Sequence, residues 1–365
     1  MEWLSRIAPG TAPDGSPILS VLGKRTYRFA NNKTAWLDEE QVDFIEADEY
    51  GGQGNPQKDA MRLESDLVAY KPMTDFILIG KAHVPGGKKA GYLDVGVQVA
   101  NGRKIARIFG NRKAYVTATG IAFSEPEPFT DMPLDYSRAY GGQDIKSDEG
   151  FTYSYLKNPV GRGFVIKNTP QAIQDLALPN IEDAQKLLTP QSLVIGRFDR
   201  WPAAPEPVAF GCTSKNSHPR FTMAGLPPED WTRAEADRQR SLRAAPEVGT
   251  AGSPQPSPIP PMLNPMFWNG AAPGLRFPYL KGDETVKLAH LDSAFAQFAF
   301  TLPGIRPTAV LDVGEGPEFM QMMLHTVVLY KETNQVTLTW RGCSYYGGLE
   351  AMKEFTMLDF SVKEA

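Results

Sequence analysis

Cysteine is nearly absent: only Cys212 and Cys343 occur in 365 residues. Two thiols cannot build a disulfide framework or a four-cysteine zinc site, and buried, reduced thiols are the expectation for both. Long apolar runs are missing as well, since no stretch reaches the roughly 18 residues of a membrane-spanning helix. The opening Met1-Glu2-Trp3-Leu4-Ser5-Arg6 has no basic segment followed by an apolar core, so no secretory leader is read and a soluble, cytoplasmic protein is expected. There is no excess of positive charge: the net charge is −4 and the pI about 5.7, which argues against a broad nucleic-acid surface. The four histidines (His83, His218, His290 and His325) are dispersed, with no His-x-x-x-His or Cys-x-x-Cys spacing to suggest a metal. No serine stands in a Gly-x-Ser-x-Gly elbow. The paired glycines at 86–87, 141–142 and 347–348 match neither a phosphate-binding loop nor a dinucleotide fingerprint. No cofactor is expected.

What the chain has in quantity is backbone punctuation. Gly and Pro together supply 33 + 31 = 64 residues without a collagen period, which suits many turns between short strands. The hydrophobic and charged shares, 42% and 22%, are those of a globular protein and exclude wholesale disorder.

The first half reads as β. Residues 76–80 form a short apolar run bounded by turn residues. Leu93, Val95, Val97 and Val99 alternate up to Asn101-Gly102, after which 105–109 resumes, and Asn-Gly between two such runs predicts a hairpin. Tyr115, Thr117, Thr119, Ile121 and Phe123 alternate again. The middle is irregular, with a short helix expected over 181–188. A solvated helix is expected over 228–243, where Pro228, Glu229 and Asp230 suit a first turn. Residues 246–261 are rich in Pro, Ser and Gly and read as an extended loop or linker. β structure returns at 295–302, and 326–330 with 336–340 predicts a second hairpin. Leu349, Met352 and Phe355 share one face of an expected closing helix. The expectation is a mostly β protein: antiparallel, sandwich-like sheets with long loops and a few short helices. It divides into 1–245, the linker 246–261, and a C-terminal β region over 262–365 packed on the first part as one unit.

Two turn-rich clusters dominate the middle. One runs from Met132-Pro133-Leu134 to Arg138-Ala139-Tyr140-Gly141-Gly142-Gln143-Asp144, and the other is Asn158-Pro159-Val160-Gly161-Arg162-Gly163-Phe164. Phe151, Tyr153 and Tyr155 alternate along the strand expected between them. They either face the core or form an exposed aromatic stripe that could recruit a partner. Arg138 and Asp144 bracket the Tyr-Gly-Gly turn closely enough for an ion pair across it. Arg138, Tyr140, Asp144, Phe151, Tyr153, Tyr155 and Arg162 are therefore the candidate protein-binding residues. Asp131, Asp135, Asp144 and Asp148 also cluster in sequence, so a hydrolase that uses Asp135 or Asp144 on glycans is the enzymatic alternative. Acidic residues in turns more often cap backbone N–H groups.

The ordered set of motifs resembles a known family. Glu64-Ser65-Asp66-Leu67 and Lys71-Pro72-Met73-Thr74-Asp75 come first, then Phe109-Gly110-Asn111-Arg112 and Pro126-Glu127-Pro128-Phe129. The two central clusters and Leu178-Pro179-Asn180-Ile181-Glu182-Asp183 follow. Asn269-Gly270-Ala271-Ala272-Pro273, Tyr279-Leu280-Lys281-Gly282-Asp283-Glu284, Thr301-Leu302-Pro303-Gly304 and Thr339-Trp340-Arg341-Gly342 complete the series. Over roughly residues 15–342 the chain resembles the type VI secretion effector adaptors, or chaperones, that contain domain of unknown function two-one-six-nine. It departs from them at Asn264-Pro265-Met266-Phe267-Trp268, where an acidic element is usual, and at His325-Thr326-Val327, where Asp-Thr-Val is common. The resemblance implies a non-enzymatic role in the bacterial cytoplasm: holding a toxic effector or a PAAR-like spike-tip protein for loading, with the spike trunk as a further contact. It implies no nucleic acid, membrane or cofactor. A structural component of the spike itself is another reading of the same resemblance.

Overall fold

The computed structural model describes residues 2–12, 14–196, 198–223, 264–347, 352, 355 and 357–364. These residues are mostly β, with three short α-helices (Pro170–Ile173, Pro190–Leu193 and His218–Met223). The helix expected over 228–243, the linker at 246–261 and most of the closing helix lie outside the described residues. No described helix is long and apolar enough to cross a membrane.

Two large sheets organise the fold. The first has seven strands, in the order Leu4–Thr11, Pro17–Arg28, Gln335–Tyr345, Met323–Tyr330, Thr74–Ile79 and Arg276–Phe277, with Trp36–Leu37 also paired to Pro17–Arg28. The second has six: Ile181–Asp183, Gly102–Phe109, Tyr92–Val99, Thr285–Ala289, Gln297–Thr301 and Lys33–Thr34. Each sheet takes strands from both ends of the chain, so neither end supplies a complete sheet. One apolar core draws on both. Leu19, Val21, Phe76, Leu78, Val327 and Leu338 of the first sheet share it with Val95, Val97, Ala106, Leu288 and Phe300 of the second. Phe29 leaves the end of the Pro17–Arg28 strand and stacks on Phe300 across the layers, with ring centroids 4.1 Å apart.

The alternation at 93–99 is the Tyr92–Val99 strand, and the hairpin to Gly102–Phe109 forms as expected. Its turn sits one residue earlier than the Asn-Gly rule places it. Ala100 carries the positive φ (49°), and Gly102 already pairs with Val99. Glycine is needed there for space, because a Cβ at 102 would lie 2.4 Å from the Phe277 ring. The second hairpin also forms, turning at Asn334 with φ 52°.

Two expectations are corrected. The alternating run 115–123 is itself a hairpin, Lys113–Thr117 with Gly120–Phe123, because Gly120 (φ 130°) breaks the strand. Residues 181–188 do not form a helix. Ile181–Asp183 is a strand paired to Gly102–Phe109, and edge pairing with buried Ile181 outweighs any local helical preference. A strand that was not anticipated, Asp359–Glu364, joins Pro307–Asp312 and Glu318–Gln321 in a three-stranded sheet. Val362 of that sheet, with Met322 just after it, packs against the backbone at Gly23.

Candidate functional site

The Tyr-Gly-Gly-Gln-Asp and Asn-Pro-Val-Gly-Arg-Gly-Phe clusters meet in space. Tyr140–Gly141 pairs in parallel with Arg162–Gly163, and Gln143–Asp144 pairs antiparallel with Tyr153–Ser154. Asn158 holds the crossing by donating from Nδ2 to Tyr136 O (2.9 Å) and Tyr140 O (3.0 Å). Gly141 has φ 141°, and a Cβ on it would stand 2.1 Å from Asn158 O, so only glycine allows this approach.

The aromatic residues of this region face inward. Tyr140, Tyr153, Tyr155, Phe164 and Trp201 form a second core, with Phe151 half-buried against it. Tyr155 stacks on Phe164 (5.2 Å) and meets Tyr140 edge-on (5.3 Å), and Tyr153 donates from its hydroxyl to Asp148 Oδ2 (2.6 Å). Burial raises the phenols of Tyr140 and Tyr155. The exposed-stripe reading therefore gives way to the core reading at Tyr153 and Tyr155.

Arg138 and Asp144 are not ion-paired with each other. Arg138 (3.1 Å) and Arg162 (3.2 Å) both donate to Asn180 Oδ1, so three motifs converge on one buried amide. Burial, then the neighbouring Arg138 charge, holds Arg162 below the usual guanidinium range. Asp144 accepts from the backbone N–H groups of Lys146, Ser147 and Ile166 and from the Ser147 hydroxyl. Asp135 caps a 3-10 turn by accepting from Ser137 N. Both carboxylates considered for hydrolysis are thus engaged as caps.

A second constellation lies on the other face of the seven-stranded sheet; five of its residues lie in the ordered motifs, but they were not read as a site. Lys24, Glu64, Asp66, Lys71, Asp75, Arg220 and Arg341 are all buried. Lys24 Nζ is 2.7 Å from Asp66 Oδ2, Lys71 Nζ is 2.8 Å from Asp75 Oδ2, and Arg220 Nη2 is 2.6 Å from Glu64 Oε1. Asp75 also accepts from Asn269 Nδ2, Gly270 N and Ala271 N, which ties the Lys-Pro-Met-Thr-Asp element to the Asn-Gly-Ala-Ala-Pro element. Arg341 donates to the carbonyls of Asp66 (2.6 Å) and Val68. His325 sits at an irregularity in the strand pairing, with neither ring nitrogen hydrogen-bonded. Burial, then the charges of Arg341 and Lys71, hold its imidazole well below the usual range. The available signal was the place of Glu64, Asp66, Lys71, Asp75 and Arg341 within the ordered motifs.

Two clefts open beside these frameworks. One encloses about 430 Å³ with apolar walls from Met61, Leu78, Ile79, Pro133 and Leu134, and with Lys58, Asp59, Arg62, Lys81, Asp135 and Glu332 also lining it. Lys58 and Arg62 are exposed and have no carboxylate partner among the described residues. The other encloses about 620 Å³ and is lined by Pro9, Leu67, Tyr70, Pro265 and Trp268, with Lys215. Lys215 is held by both oxygens of Asp48 at 2.8 Å. Among the described residues no group of three or more His, Cys, Asp or Glu side chains is arranged to hold a metal ion. Cys212 is buried and Cys343 half-buried, and burial raises both thiols.

The family model described as "Uncharacterized protein conserved in bacteria (DUF2169)" matches residues 14–341, most of the chain. The protein belongs to this family. No curated protein and no solved structure matches it. The DUF2169 match covers the six-stranded sheet, the seven-stranded sheet except Leu4–Thr11 and the end of Gln335–Tyr345, the Tyr140 core and the ionic layer, and it ends at Arg341, before the Asp359–Glu364 strand.

Proposed function

We propose that this protein is a non-enzymatic adaptor that binds a type VI secretion effector or a PAAR-like spike-tip protein in the cytoplasm and promotes its loading on the secretion spike. The reading rests on the motif resemblance and on one structural observation. The recurrent polar and glycine-rich motifs are spent on internal frameworks, while an apolar-floored cleft opens beside them. A cleft walled by Met61, Leu78, Ile79, Pro133 and Leu134 and rimmed by Lys58 and Arg62 combines an apolar floor with a charged rim, as protein-binding surfaces do. The contact surface is accordingly moved from Tyr153 and Tyr155 to this cleft.

The test is purification of the tagged chain from its native host under mild conditions, with mass spectrometry of what accompanies it. A stoichiometric toxin-bearing or PAAR-like partner is expected, and its loss from a folded Lys58→Glu/Arg62→Glu variant would place the interface at the cleft. Recovery of the chain alone, or its release from the cell with the spike, would overturn the adaptor reading.

A further inference from the structure

Beneath the loop that carries Glu64 and Asp66 lies a small cavity of about 10 Å³, lined by Lys24, Glu64, Asp66, Lys71, Thr326 and Tyr330 among others. Two of its lining residues carry a polar atom without a hydrogen bond. Glu64 Oε2 and Thr326 Oγ1 have no hydrogen-bond partner among the described residues, although Glu64 is only 7% exposed and Thr326 only 5%. Lys71 Nζ stands 3.9 Å from Glu64 Oε2, too far for a direct hydrogen bond. Its one described side-chain acceptor is Asp75 Oδ2, and an ammonium has three donors.

We infer that this cavity is a binding site for a single structural water that links Lys71, Glu64 and Thr326. Size and polarity both select water. The volume is about that of one water-sized probe, and a buried water needs two to four polar partners. The charges already balance in pairs: Lys24 with Asp66, Lys71 with Asp75, and Glu64 with Arg220. An added cation would sit against two ammonium groups, and an added anion against Glu64 and Asp66. A neutral molecule that both donates and accepts suits all the walls. Such a water accepts from Lys71 Nζ and donates to Glu64 Oε2 and Thr326 Oγ1. It joins the loop bearing Glu64 to the Met323–Tyr330 strand, and it explains a hydroxyl residue at the head of the apolar run Val327-Val328-Leu329. The inference is independent of the adaptor reading.

The test is a high-resolution crystal structure of the full chain and of two variants. In the parent, a peak refining as water is expected about 2.7–3.2 Å from Glu64 Oε2, Lys71 Nζ and Thr326 Oγ1. Thr326→Val is expected to weaken or abolish the peak and to lower the unfolding midpoint by about 2 °C, while Thr326→Ser keeps both. A direct Glu64–Lys71 or Glu64–Thr326 hydrogen bond with the cavity closed would overturn the assignment. So would a peak that refines as an ion, or a Val variant that keeps the peak and melts with the parent.

Discussion

The seven-stranded sheet buries both of its faces, and the two are chemically opposite. One presents Leu19, Val21, Phe76, Leu78, Val327, Leu329, Val336, Leu338 and Trp340 to the common apolar core. The other presents Lys24, Asp75, Thr326, Thr337, Thr339 and Arg341, all buried, beside Ile18 and Leu22, and carries the ion pair from Lys24 to Asp66. Strand geometry makes the division possible, because successive side chains point to opposite faces. Apolar burial is non-directional and scales with area, so many side chains of suitable volume would serve the first face. A buried charge is tolerated only when its partner and remaining hydrogen bonds are in place, so the second face depends on particular atoms at particular distances.

The contrast is broken most severely at Asp75. Asp75→Ala leaves Lys71 and three other donors without their acceptor and is expected to cost about 3–5 kcal/mol, read as a lower urea midpoint. A loss below about 1 kcal/mol would mean that the ionic layer relaxes as freely as an apolar one.

On the apolar face, Leu338→Ala is expected to cost about 2–5 kcal/mol through transfer and cavity terms. The cost should be the same at low and high salt. Salt dependence would show that the two faces are coupled.

A pH series separates the faces further. His325 is held neutral in the folded state, with its imidazole below the usual 6.5, while the unfolded chain binds a proton near that value. Below it the unfolded state therefore carries more protons, and stability that is present above pH 6.5 is lost as the pH falls. The loss at about pH 5.5 relative to neutrality should approach about 1.4 kcal/mol from this residue, and His325→Gln should remove that increment. Equal acid sensitivity in parent and variant would assign the effect to other groups.

The smallest effect is expected in the Tyr140 core, where polar contacts only supplement ring packing. Tyr153→Phe removes the hydroxyl bonded to Asp148 and should cost about 0.5–1.5 kcal/mol by thermal melting. A loss several times larger would show that the hydroxyl organises the turn rather than decorating it.

Much of the β architecture was legible. The alternation at 93–99, the run at 76–80 and the hairpin around Asn334 all report strand period and turn chemistry, which are local. The 181–188 segment misled because three residues of edge pairing decide its conformation, and the pairing partner lies some seventy positions earlier. The aromatic alternation at Phe151, Tyr153 and Tyr155 overlaps a strand of only two residues, Tyr153–Ser154, and period two says only that side chains share a face. Whether that face meets solvent depended on Phe164 and Trp201 arriving from later in the chain.

By itself the sequence determined the fold class, the main strands and turns, and the family, since these follow from short-range periodicity, glycine and proline placement, and ordered motifs. Tertiary structure alone decided what the motifs do. Lys71 and Asp75 are four residues apart, but the backbone donors that complete Asp75 come from Gly270 and Ala271, and Arg220 reaches Glu64 across 156 positions. Buried charges must be satisfied by whichever groups the fold brings within about 3 Å, and no local pattern encodes that meeting.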